Sequence, residues 1–342
     1  MSPVAKPPEP DQWPDDLRAI AAQLPEPAGA GRCWVALSGG LDSVFLLHLL
    51  AACSARQSFP LQAIHVHHGL HDNADDWAEF CHSLCHSLSI PLTVEKLSLS
   101  TQSGDLESRA RDARYRRFAH CLQPGDTLAM GHHGDDQAET LLLRLLRGSG
   151  VRGLAAMPEK RPLGAGTLIR PLLPLSRDRI RTLALDWGLT WQEDPSNQDR
   201  AFDRNYLRHE ILPRLQERWP GTRAALNRSV RHVSEANHLL DELAEKDLAA
   251  TGMTQGVTVT GLKTLTAPRQ RNLIRYRLAG HGVQPPGEDP LHEGLHALLN
   301  APADGSPELS WGEYRVRRFN DQLWLLTPTE STPWPTTLEL DG

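Results

Sequence analysis

Short apolar runs alternate with stretches of helical periodicity in the first half of the chain. The apolar runs are rich in β-prone residues and predict strands at Cys33–Leu37, Leu61–Val66, Leu92–Leu97 and Thr127–Met130. The periodic stretches predict helices at Asp42–Cys53, Ala74–Leu88, Leu106–Cys121 and Asp135–Leu146. This alternation is typical of a Rossmann-like α/β fold, in which a parallel sheet carries helices on both faces.

The pattern changes after Arg147. A long helical segment is predicted from Tyr206 to Leu248, with a break at 219–221. Helices at Arg269–Ala279 and Leu291–Leu299 and strands at Tyr314–Phe319 and Gln322–Leu326 then favour a smaller, mainly helical α+β C-terminal domain. We therefore expect a flexible N-terminal tail over 1–28, the parallel-sheet domain over 29–215, a helical linker over 216–250, the small domain over 251–330, and over 331–342 a tail or the truncated start of a further domain.

Composition places the chain among ordinary globular proteins. Its 342 residues are 39% hydrophobic and 23% charged, with a mean hydropathy of -0.42. The apolar stretch Val44–Cys53 is interrupted by His48 and is far shorter than the roughly 18 residues of a membrane span. The acidic, proline-rich N-terminus lacks the features of a secretory signal. Five scattered cysteines indicate reduced thiols, so we expect a cytoplasmic protein without a membrane partner.

Positive charge is concentrated in one block of an acidic protein. Residues 144–232 contain 17 basic and 9 acidic side chains, whereas the whole chain has a net charge of -6. Most of the basic residues are arginine, which binds phosphate through a planar fork. The block favours a nucleic-acid partner, although a GC-rich genome produces the same preference for arginine without any function.

The loop after the first predicted strand carries the strongest chemical signal. Parallel sheets bind ligands beyond the carboxyl ends of their strands, so we expect the chemistry after Leu37, Val66 and Met130. At the first of these positions, Ser38-Gly39-Gly40-Leu41-Asp42-Ser43 combines two glycines, two hydroxyls and the amino end of a helix, which together form a phosphate cradle. The loop lacks the lysine of a Walker A motif, which favours holding a departing pyrophosphate. The plain alternative is a well-formed strand-to-helix connection.

Two other sequence patterns are typical of dinucleotide-binding and zinc sites, and we assign neither function to them. Gly148–Gly153 matches the dinucleotide fingerprint but follows a predicted helix instead of a strand, so we read it as a helix C-terminal loop. Histidines at 65, 67, 68 and 71, with Cys81 and Cys85 beyond them, invite a zinc site. The two cysteines are one helical turn apart and are expected to face the core, and no paired Cys-x-x-Cys is present in the sequence.

Several segments resemble known families. Ser38–Ser43 resembles the pyrophosphate loop, or PP-loop, of the N-type ATP pyrophosphatases, which adenylate a carbonyl oxygen. Further segments resemble tRNA(Ile)-lysidine synthetase: Ile64–Leu70, Leu106–Tyr115, Gly131–Thr140, Leu145–Gly150, and Glu193–Asn197 followed by Arg204 and Asn205. The resemblance covers about residues 30–215. It is looser over 220–330, where it rests on Arg269–Arg275, and longer members of the family have a further C-terminal domain.

The resemblance implies an ATP-dependent ligase that modifies tRNA. ATP would activate position 2 of the wobble cytidine in the CAU anticodon of an isoleucine tRNA, and L-lysine would displace AMP to give lysidine. Competing interpretations keep the loop but change the acceptor, to a small molecule in an amide-forming enzyme or to a different tRNA in a thiolating one. A third interpretation is a nucleotide-gated tRNA-binding module without catalysis. A homodimer is also compatible with the sequence.

The residues themselves fit this chemistry. Asp136 and Glu139 share one face of a helix and would hold the amine of lysine or, for Asp136 together with Asp42, a Mg²⁺ ion. An acidic first turn favoured by the helix dipole is the structural alternative. His132 would contact the adenylate or the cytidine, or is simply a polar loop histidine. Arg111 or Arg114 would neutralise the phosphate of the activated intermediate.

The remaining site predictions concern ATP and tRNA. His67 is expected near the adenine, at the end of the second strand, while Ser38, Gly39, Gly40, Leu41, Asp42 and Ser43 bind the phosphates of ATP. Arg200, Arg204 and Arg208 recur every four residues on a helix that opens near Phe202, so they would form one basic stripe along the tRNA together with Asn205. Ion pairs with Asp199 and Asp203 are the alternative. Arg271 and Arg275 would form a second tRNA contact.

Overall fold

The computed structural model describes residues 7–24, 31–67, 74–97, 106–194, 199–253, 256–302, 305 and 307–327. The chain divides into two compact units, Met1–Ser234 and Glu235–Gly342. The division falls inside a long helix, Thr222–Ala250. None of the described helices is both long enough and apolar enough to cross a membrane.

A six-stranded sheet forms the centre of the first unit, in the order β3-β2-β1-β4-β6-β5. The strands are β1 (Cys33–Ala36), β2 (Leu61–His67), β3 (Leu92–Lys96), β4 (Thr127–Ala129), β5 (Lys160–Leu163) and β6 (Gly166–Ile169). All neighbouring pairs are parallel except β5 with β6, which is antiparallel. The predicted parallel sheet is confirmed, and its carboxyl edge gathers the loops after β1, β2, β4 and β6.

The helices of the first unit cover both faces of this sheet. They are α1 (Asp15–Ala22), α2 (Leu41–Gln57), α3 (Ala74–Ser87), α4 (Leu106–Cys121), α5 (Gly134–Leu146), α6 (Val151–Leu154) and α7 (Arg177–Asp186). Successive β1 side chains point to opposite faces, so Val35 packs in the core with α2 and α7 whereas Trp34 packs in a second core with Phe118 of α4.

The prediction of a flexible tail over 1–28 is wrong for residues 7–24, the part of that range that the structure describes. Trp13, Leu17 and Ile20 are buried in the main core, and Trp13 stacks on Trp187 with ring centroids 5.7 Å apart. Asp16 also accepts hydrogen bonds from Nε and Nη2 of Arg179 at 2.8 and 3.2 Å. The apolar positions of α1 have the i, i+3 spacing of a helix that packs on one side, which explains why this segment is part of the domain.

The predicted break in the long helical segment is confirmed. After α8 (Asp203–Tyr206), a π-helical turn (Leu207–Ile211) leads into α9 (Leu212–Arg218), and α10 (Thr222–Ala250) follows a short interruption. π-helical turns often occur at functional sites, because they shift the side chains that follow them on the helix.

A four-stranded antiparallel sheet, in the order β7-β10-β9-β8, belongs to the second unit. Its strands are β7 (Val257–Thr258), β8 (Glu308–Trp311), β9 (Tyr314–Phe319) and β10 (Gln322–Leu326), and its helices after α10 are α11 (Val259–Lys263), α12 (Ala267–Gly280) and α13 (Glu288–Asn300). Leu273, Leu291 and Leu325 are fully buried in its own hydrophobic core. The predicted small α+β domain is confirmed, although the sequence pattern missed β7 and β8.

Candidate active site

The loop between β1 and α2 is built as a cradle of amides and hydroxyls. The Ser43 hydroxyl accepts from the Ser38 amide at 3.1 Å and donates to the Gly40 carbonyl at 3.0 Å. Gly39 has φ = +89°, a conformation that side-chain-bearing residues rarely adopt. Gly40 is the N-cap of α2, so the first amides of this long helix open into the loop and favour a bound anion.

Asp42 lies in the first turn of α2 and keeps one carboxylate oxygen unsatisfied. Its Oδ1 is buried and has no hydrogen-bond partner among the described residues, while Oδ2 lies 3.7 Å from Nε2 of His133. Burial raises the pKa of Asp42, partly offset by His133. A buried carboxylate oxygen without a partner beside a phosphate cradle is the chemical environment in which a hard divalent cation binds.

The loop after β4 presses directly against this cradle. A Cβ on Gly131 would lie 2.9 Å from the carbonyl oxygen of Asp42, so only glycine fits between the two loops. His133 then caps α5: its ring accepts from the Asp136 amide at 3.4 Å, and Asp136 accepts from the His133 amide at 3.0 Å. These contacts fix the acidic first turn of α5 next to Asp42.

Asp136 and Glu139 lie on one face of α5, as the sequence predicts, and both are buried. Glu139 is 0% exposed and Asp136 is 8% exposed. Burial opposes the ionisation of Asp136, but His133, Arg204 and a backbone amide hold the pKa of Asp136 well below its usual range. The negative charge of Asp136 is therefore stabilised by the cations around it.

Arg204 and Arg208 supply that positive charge. Arg204 donates from Nε to Glu139 Oε2 at 2.7 Å and from Nη2 to Asp136 Oδ1 at 2.9 Å. Arg208 donates from Nε to Glu139 Oε1 at 2.7 Å and from Nη2 to Asp136 Oδ1 at 3.2 Å. We call these four residues the acid-arginine clamp, and in it two carboxylates and two guanidiniums balance in charge.

The clamp corrects the predicted basic stripe. Arg204 and Arg208 turn inward from α8 and the π-helical turn, whereas Arg200 pairs with Glu210 at 2.5 Å on the surface. The alternative pairing with Asp199 and Asp203 is also wrong, since Asp199 accepts from the Ala201 amide and Asp203 lies 3.6 Å from Arg147. The prediction of one exposed stripe is wrong because Arg204 and Arg208 pair with buried carboxylates. The sequence pattern does not reveal that these carboxylates are buried.

The other predicted groups of the adenylation site lie around the same edge of the sheet. His132 follows β4, its Nδ1 is buried without a partner among the described residues, and burial lowers the pKa of His132 to about 3. Arg114 of α4 is half-buried with its Nε enclosed, and desolvation lowers its pKa. Arg111 is exposed, with its guanidinium 5.7 Å from the centroid of the Tyr115 ring. His67 ends β2 and hydrogen-bonds Asp75 at 3.1 Å.

The remaining predicted residues belong to other elements of the structure. Asn205 is buried in α8 and donates to the Asp199 carbonyl at 2.8 Å. Arg271 and Arg275 lie on α12 of the second unit and are half-buried. His68, Gly69 and residues 195–197 of the Glu193–Asn197 motif lie outside the described residues. Gln192, which precedes this motif, donates from its amide to the Gly39 carbonyl at 2.9 Å.

The structure also shows the local surroundings of the two patterns set aside above. The Gly148–Gly153 loop follows the C-terminus of α5, as predicted, with Gly148 at φ = +67°. Cys81 and Cys85 are buried in the main core, as predicted, and burial raises the pKa of each thiol to about 12. Neither thiol therefore ionises near neutral pH.

Sequence reasoning missed three residues of this region. His133 caps α5, and its ring lies near both Asp42 and Asp136. Its position three residues before Asp136 is the spacing of a capping box. Tyr115 and Arg170 lie beside Arg114 and were given no separate role, because nothing local distinguishes one aromatic or arginine from another. Arg170 directly follows β6, a strand whose glycine and short length hid it from the pattern.

A parallel sheet whose first strand leads through Ser38–Ser43 into a helix defines the class of PP-loop nucleotide-binding proteins. Residues 15–215 match the PP-loop domain family, and residues 258–324 match the family described as the TilS substrate binding domain. The fold resembles the U34-tRNA thiolase NcsA from Methanococcus maripaludis, with a TM-score of 0.54 and 20% identity over 65% of this chain and 78% of that one.

The chain belongs to the tRNA(Ile)-lysidine synthase family. It is 46% identical to the tRNA(Ile)-lysidine synthase of Alkalilimnicola ehrlichii, over 96% of this chain and 73% of that protein. It is 45% identical to that of Pseudomonas putida, over 88% of this chain and 74% of that protein, and 43% identical to that of Salmonella typhi, over 86% and 69%. The family resemblance inferred from the motifs is confirmed.

Proposed function

We propose that this protein ligates L-lysine to position 2 of the wobble cytidine in the CAU anticodon of an isoleucine tRNA, and that it consumes ATP in doing so. Membership of the tRNA(Ile)-lysidine synthase family and of the PP-loop domain family supports this activity. The products are lysidine-containing tRNA, AMP and pyrophosphate. A cytoplasmic location is the natural one for an enzyme acting on tRNA.

In the first step, the cytidine oxygen at position 2 attacks the α-phosphorus of ATP. A bond forms between that oxygen and phosphorus, and the bond to the β-phosphate oxygen breaks, so pyrophosphate leaves and the base carries AMP. The amides of Gly39 and Gly40, the Ser38 and Ser43 hydroxyls and the amino end of α2 would stabilise the leaving pyrophosphate. His67, at the end of the neighbouring strand, would lie near the adenine.

In the second step, the ε-amine of lysine attacks carbon 2 of the adenylated base. The carbon–nitrogen bond forms, the bond from carbon 2 to the AMP oxygen breaks, and the amine loses a proton. His132, with its pKa lowered to about 3, is neutral at pH 7 and would orient the base or the AMP by hydrogen bonding without adding charge. Arg114 would neutralise the phosphate of the intermediate, and Arg111 would support it from the surface.

The acid-arginine clamp matches a zwitterionic amino acid. The negative charge of Asp136 would attract the α-ammonium group of lysine, and guanidinium nitrogens of Arg204 and Arg208 that do not contact the two carboxylates would bind its α-carboxylate. Glu139 is too deeply buried for direct contact, so it would orient the two guanidiniums. Lysine held at its α-carbon in this way leaves the ε-amine free to reach the base.

A Mg²⁺ ion fits Asp42 but does not fit Asp136. Asp42 offers a buried oxygen to which no described residue donates, whereas both oxygens of Asp136 already accept hydrogen bonds from Arg204, Arg208 and the His133 amide. We therefore propose that Asp42 holds the ion. When bound, Mg²⁺ would neutralise charge on the triphosphate.

The tRNA residues proposed from the sequence are divided between two roles. Arg200, exposed beside α8, and Arg271 and Arg275 of α12 are proposed to contact phosphates of the tRNA backbone. Asn205 would support the fold of the α8 segment through its bond to the Asp199 carbonyl. A homodimer remains a separate proposal, to be tested by sedimentation velocity.

The observation that carries the proposed function is the contact between the phosphate cradle and the loop after β4, which brings Asp42 within 3.7 Å of the residue that caps the acidic helix. The test is incorporation of radiolabelled lysine into an isoleucine tRNA transcript in the presence of ATP and magnesium. We expect labelling of the CAU transcript and none of a matched transcript in which the wobble cytidine is replaced by guanosine. Equal labelling of both transcripts, or of neither, would refute the proposal.

A further inference from the structure

Four arginines surround Tyr115 at the carboxyl edge of the sheet. Arg111 and Arg161 lie against its ring, with the guanidinium carbons 5.7 and 5.1 Å from the ring centroid. Arg170 is buried and Arg114 is half-buried, and both lie close enough to Tyr115 to interact with its hydroxyl. We call these five residues the Tyr115 cluster. They come from α4, β5 and the residue after β6, so separate elements converge on one place.

The cluster lacks the negative charge that its positive charge requires. Among the described residues, no carboxylate forms an ion pair with Arg111, Arg114, Arg161 or Arg170. Within the part of the chain that the structure describes, the Nε atoms of Arg114 and Arg170 are buried without a hydrogen-bond partner, and the Tyr115 hydroxyl interacts with Arg170, which is itself a cation. Buried donors of like charge without acceptors are costly, and such an arrangement is retained where an anionic ligand completes it.

Arg170 is the least expected member of the cluster. It is 4% exposed and uses one nitrogen to donate to the Pro158 carbonyl at 2.6 Å, which fixes its guanidinium in place. Among the described residues its Nε has no hydrogen-bond partner, and the nearby Arg114 and His132 also have buried nitrogens without one. These preorganised donors can bind more than one oxygen of a single phosphate group.

The Tyr115 cluster lies at a different strand end from the Ser38–Ser43 cradle that would hold pyrophosphate. The order β1-β4-β6 makes β6 the second neighbour of β1. Adjacent strands are about 4.8 Å apart, so the end of β6 is roughly 10 Å across the sheet from the end of β1. An α-phosphate attached to a pyrophosphate at Ser38–Ser43 lies beside that loop, where Arg114 and Arg111 would neutralise it, which leaves the charge of Arg161 and Arg170 for a second phosphate. An RNA backbone supplies one.

We propose that the Tyr115 cluster binds a backbone phosphate of the tRNA substrate next to the target cytidine, with Arg170 and Tyr115 as binding residues. This inference rests on the proposed function, because it requires a tRNA whose wobble base enters the site. A phosphate held here anchors the nucleotide that is turned out of the anticodon loop, while the cytosine ring faces His132 and the cradle.

The test measures the affinity of the isoleucine tRNA transcript by fluorescence anisotropy over a series of KCl concentrations, without ATP. Arg170→Gln should weaken binding by about tenfold at low salt, the loss of one charged hydrogen-bonded contact. It should also reduce the slope of log affinity against log salt by about 0.7, as one single-strand phosphate contact is lost. Arg170→Lys keeps the charge and should retain most of the slope.

One control and a second test variant separate binding from folding. Arg32→Gln removes one charge from the amino edge of the same sheet, where Arg32 precedes β1, and should leave affinity and slope unchanged. Tyr115→Phe keeps the ring between the two guanidiniums and should weaken tRNA binding by about threefold through its lost hydroxyl. It decides the question if Arg170→Gln fails to fold. The glutamine and lysine variants of Arg170 would behave alike if Arg170 served only to hold the Pro158 carbonyl.

The outcomes also separate this inference from the proposed function. The inference alone is overturned if the wild-type enzyme incorporates lysine but the Arg170→Gln and Tyr115→Phe proteins bind tRNA as tightly as wild type. A raised KM for ATP with unchanged tRNA affinity would assign the phosphate to the nucleotide and would also overturn it. Wild-type enzyme that incorporates no lysine would instead refute the proposed function.

Discussion

At the scale of single residues, Asp42 lies at the phosphate cradle, where burying its ionised carboxylate costs folding free energy. Its unsatisfied oxygen and the burial that raises its pKa both disfavour the ionised carboxylate. Residues that retain such a cost are concentrated at functional sites. We therefore regard Asp42 as the residue on which the first chemical step depends most.

Asp42→Asn should abolish pyrophosphate release without weakening the fold. We expect the rate to fall by at least about 100-fold, the usual effect of losing a group that stabilises developing charge. The melting temperature should not fall, since the buried charge is removed and the shape is kept. The measurement is pyrophosphate release with ATP, tRNA and lysine, compared with the exposed control Asp15→Asn. Release at the wild-type rate would exclude Asp42 from the mechanism.

His132 should make the stability of the protein depend on pH. Its pKa is about 3 when folded and 6.5 in an ordinary environment, so the unfolded chain binds a proton that the folded chain excludes between these values. Stability is therefore complete above pH 6.5 and is lost as the pH falls towards 3, by up to about 1.4 kcal/mol per pH unit. Urea unfolding of His132→Gln between pH 6.5 and 4 should show a shallower dependence than wild type. Identical slopes would contradict the buried, neutral histidine.

At the scale of elements, α5 and α8 are joined by two kinds of ion pair. The acid-arginine clamp is buried, whereas the pair between Arg147 at the end of α5 and Asp203 at the start of α8 is 70% and 77% exposed. Removing one partner from a buried pair leaves an uncompensated charge, and removing one from an exposed pair changes little. The exposed pair of Arg147 and Asp203 is therefore the control for the buried acid-arginine clamp.

Glu139→Gln should destabilise the protein by about 3–5 kcal/mol, while Asp203→Asn should cost less than about 1 kcal/mol. Urea denaturation at pH 7 measures both. Because an uncharged amide in place of the Glu139 carboxylate would no longer orient Arg204 and Arg208, we also expect the KM for lysine to rise more than the KM for ATP. Equal destabilisation by the two substitutions would contradict the buried clamp, and an unchanged KM for lysine would remove the clamp from lysine binding.

The elements show why part of the site was predictable from the sequence and part was not. Ser38–Ser43 and the pair Asp136 and Glu139 are read from local spacing, because a strand-turn-helix unit and a helical face are local structures. The clamp joins residues 65 to 72 positions apart, and the Tyr115 cluster joins α4 to the end of β6. Such pairings depend on the tertiary fold, and one sequence contains no signal for them.

At the scale of the whole molecule, two units with separate cores belong to one tRNA-modifying chain. The first unit contains the phosphate cradle and the clamp, and the second contains α12 with Arg271 and Arg275. The alternating pattern predicted β1 to β4 of the first unit and missed β5 and β6, which follow the region where the alternation ends. In the second unit the pattern predicted β9 and β10 and missed β7 and β8, and the two-residue β7 is too short to show a period.

Replacing both Arg271 and Arg275 with glutamine should weaken tRNA binding and spare ATP binding. Loss of two phosphate contacts reduces the slope of log affinity against log salt by about 2 and lowers affinity for all tRNA sequences alike. Lys263→Gln, an exposed change at the end of α11, is the control for loss of a positive charge. Anisotropy titrations of the tRNA measure the slope. A slope equal to that of the control would assign tRNA binding to other residues.

The central claim is that the glycine-rich turn after β1 holds the pyrophosphate that ATP loses to the tRNA base. A crystal structure of the protein soaked with magnesium and an ATP analogue that cannot be cleaved between its α- and β-phosphates tests this most directly. We expect the β- and γ-phosphates to lie against the amides of Gly39 and Gly40, with the metal on Asp42. A triphosphate bound elsewhere, with that turn free, would contradict it.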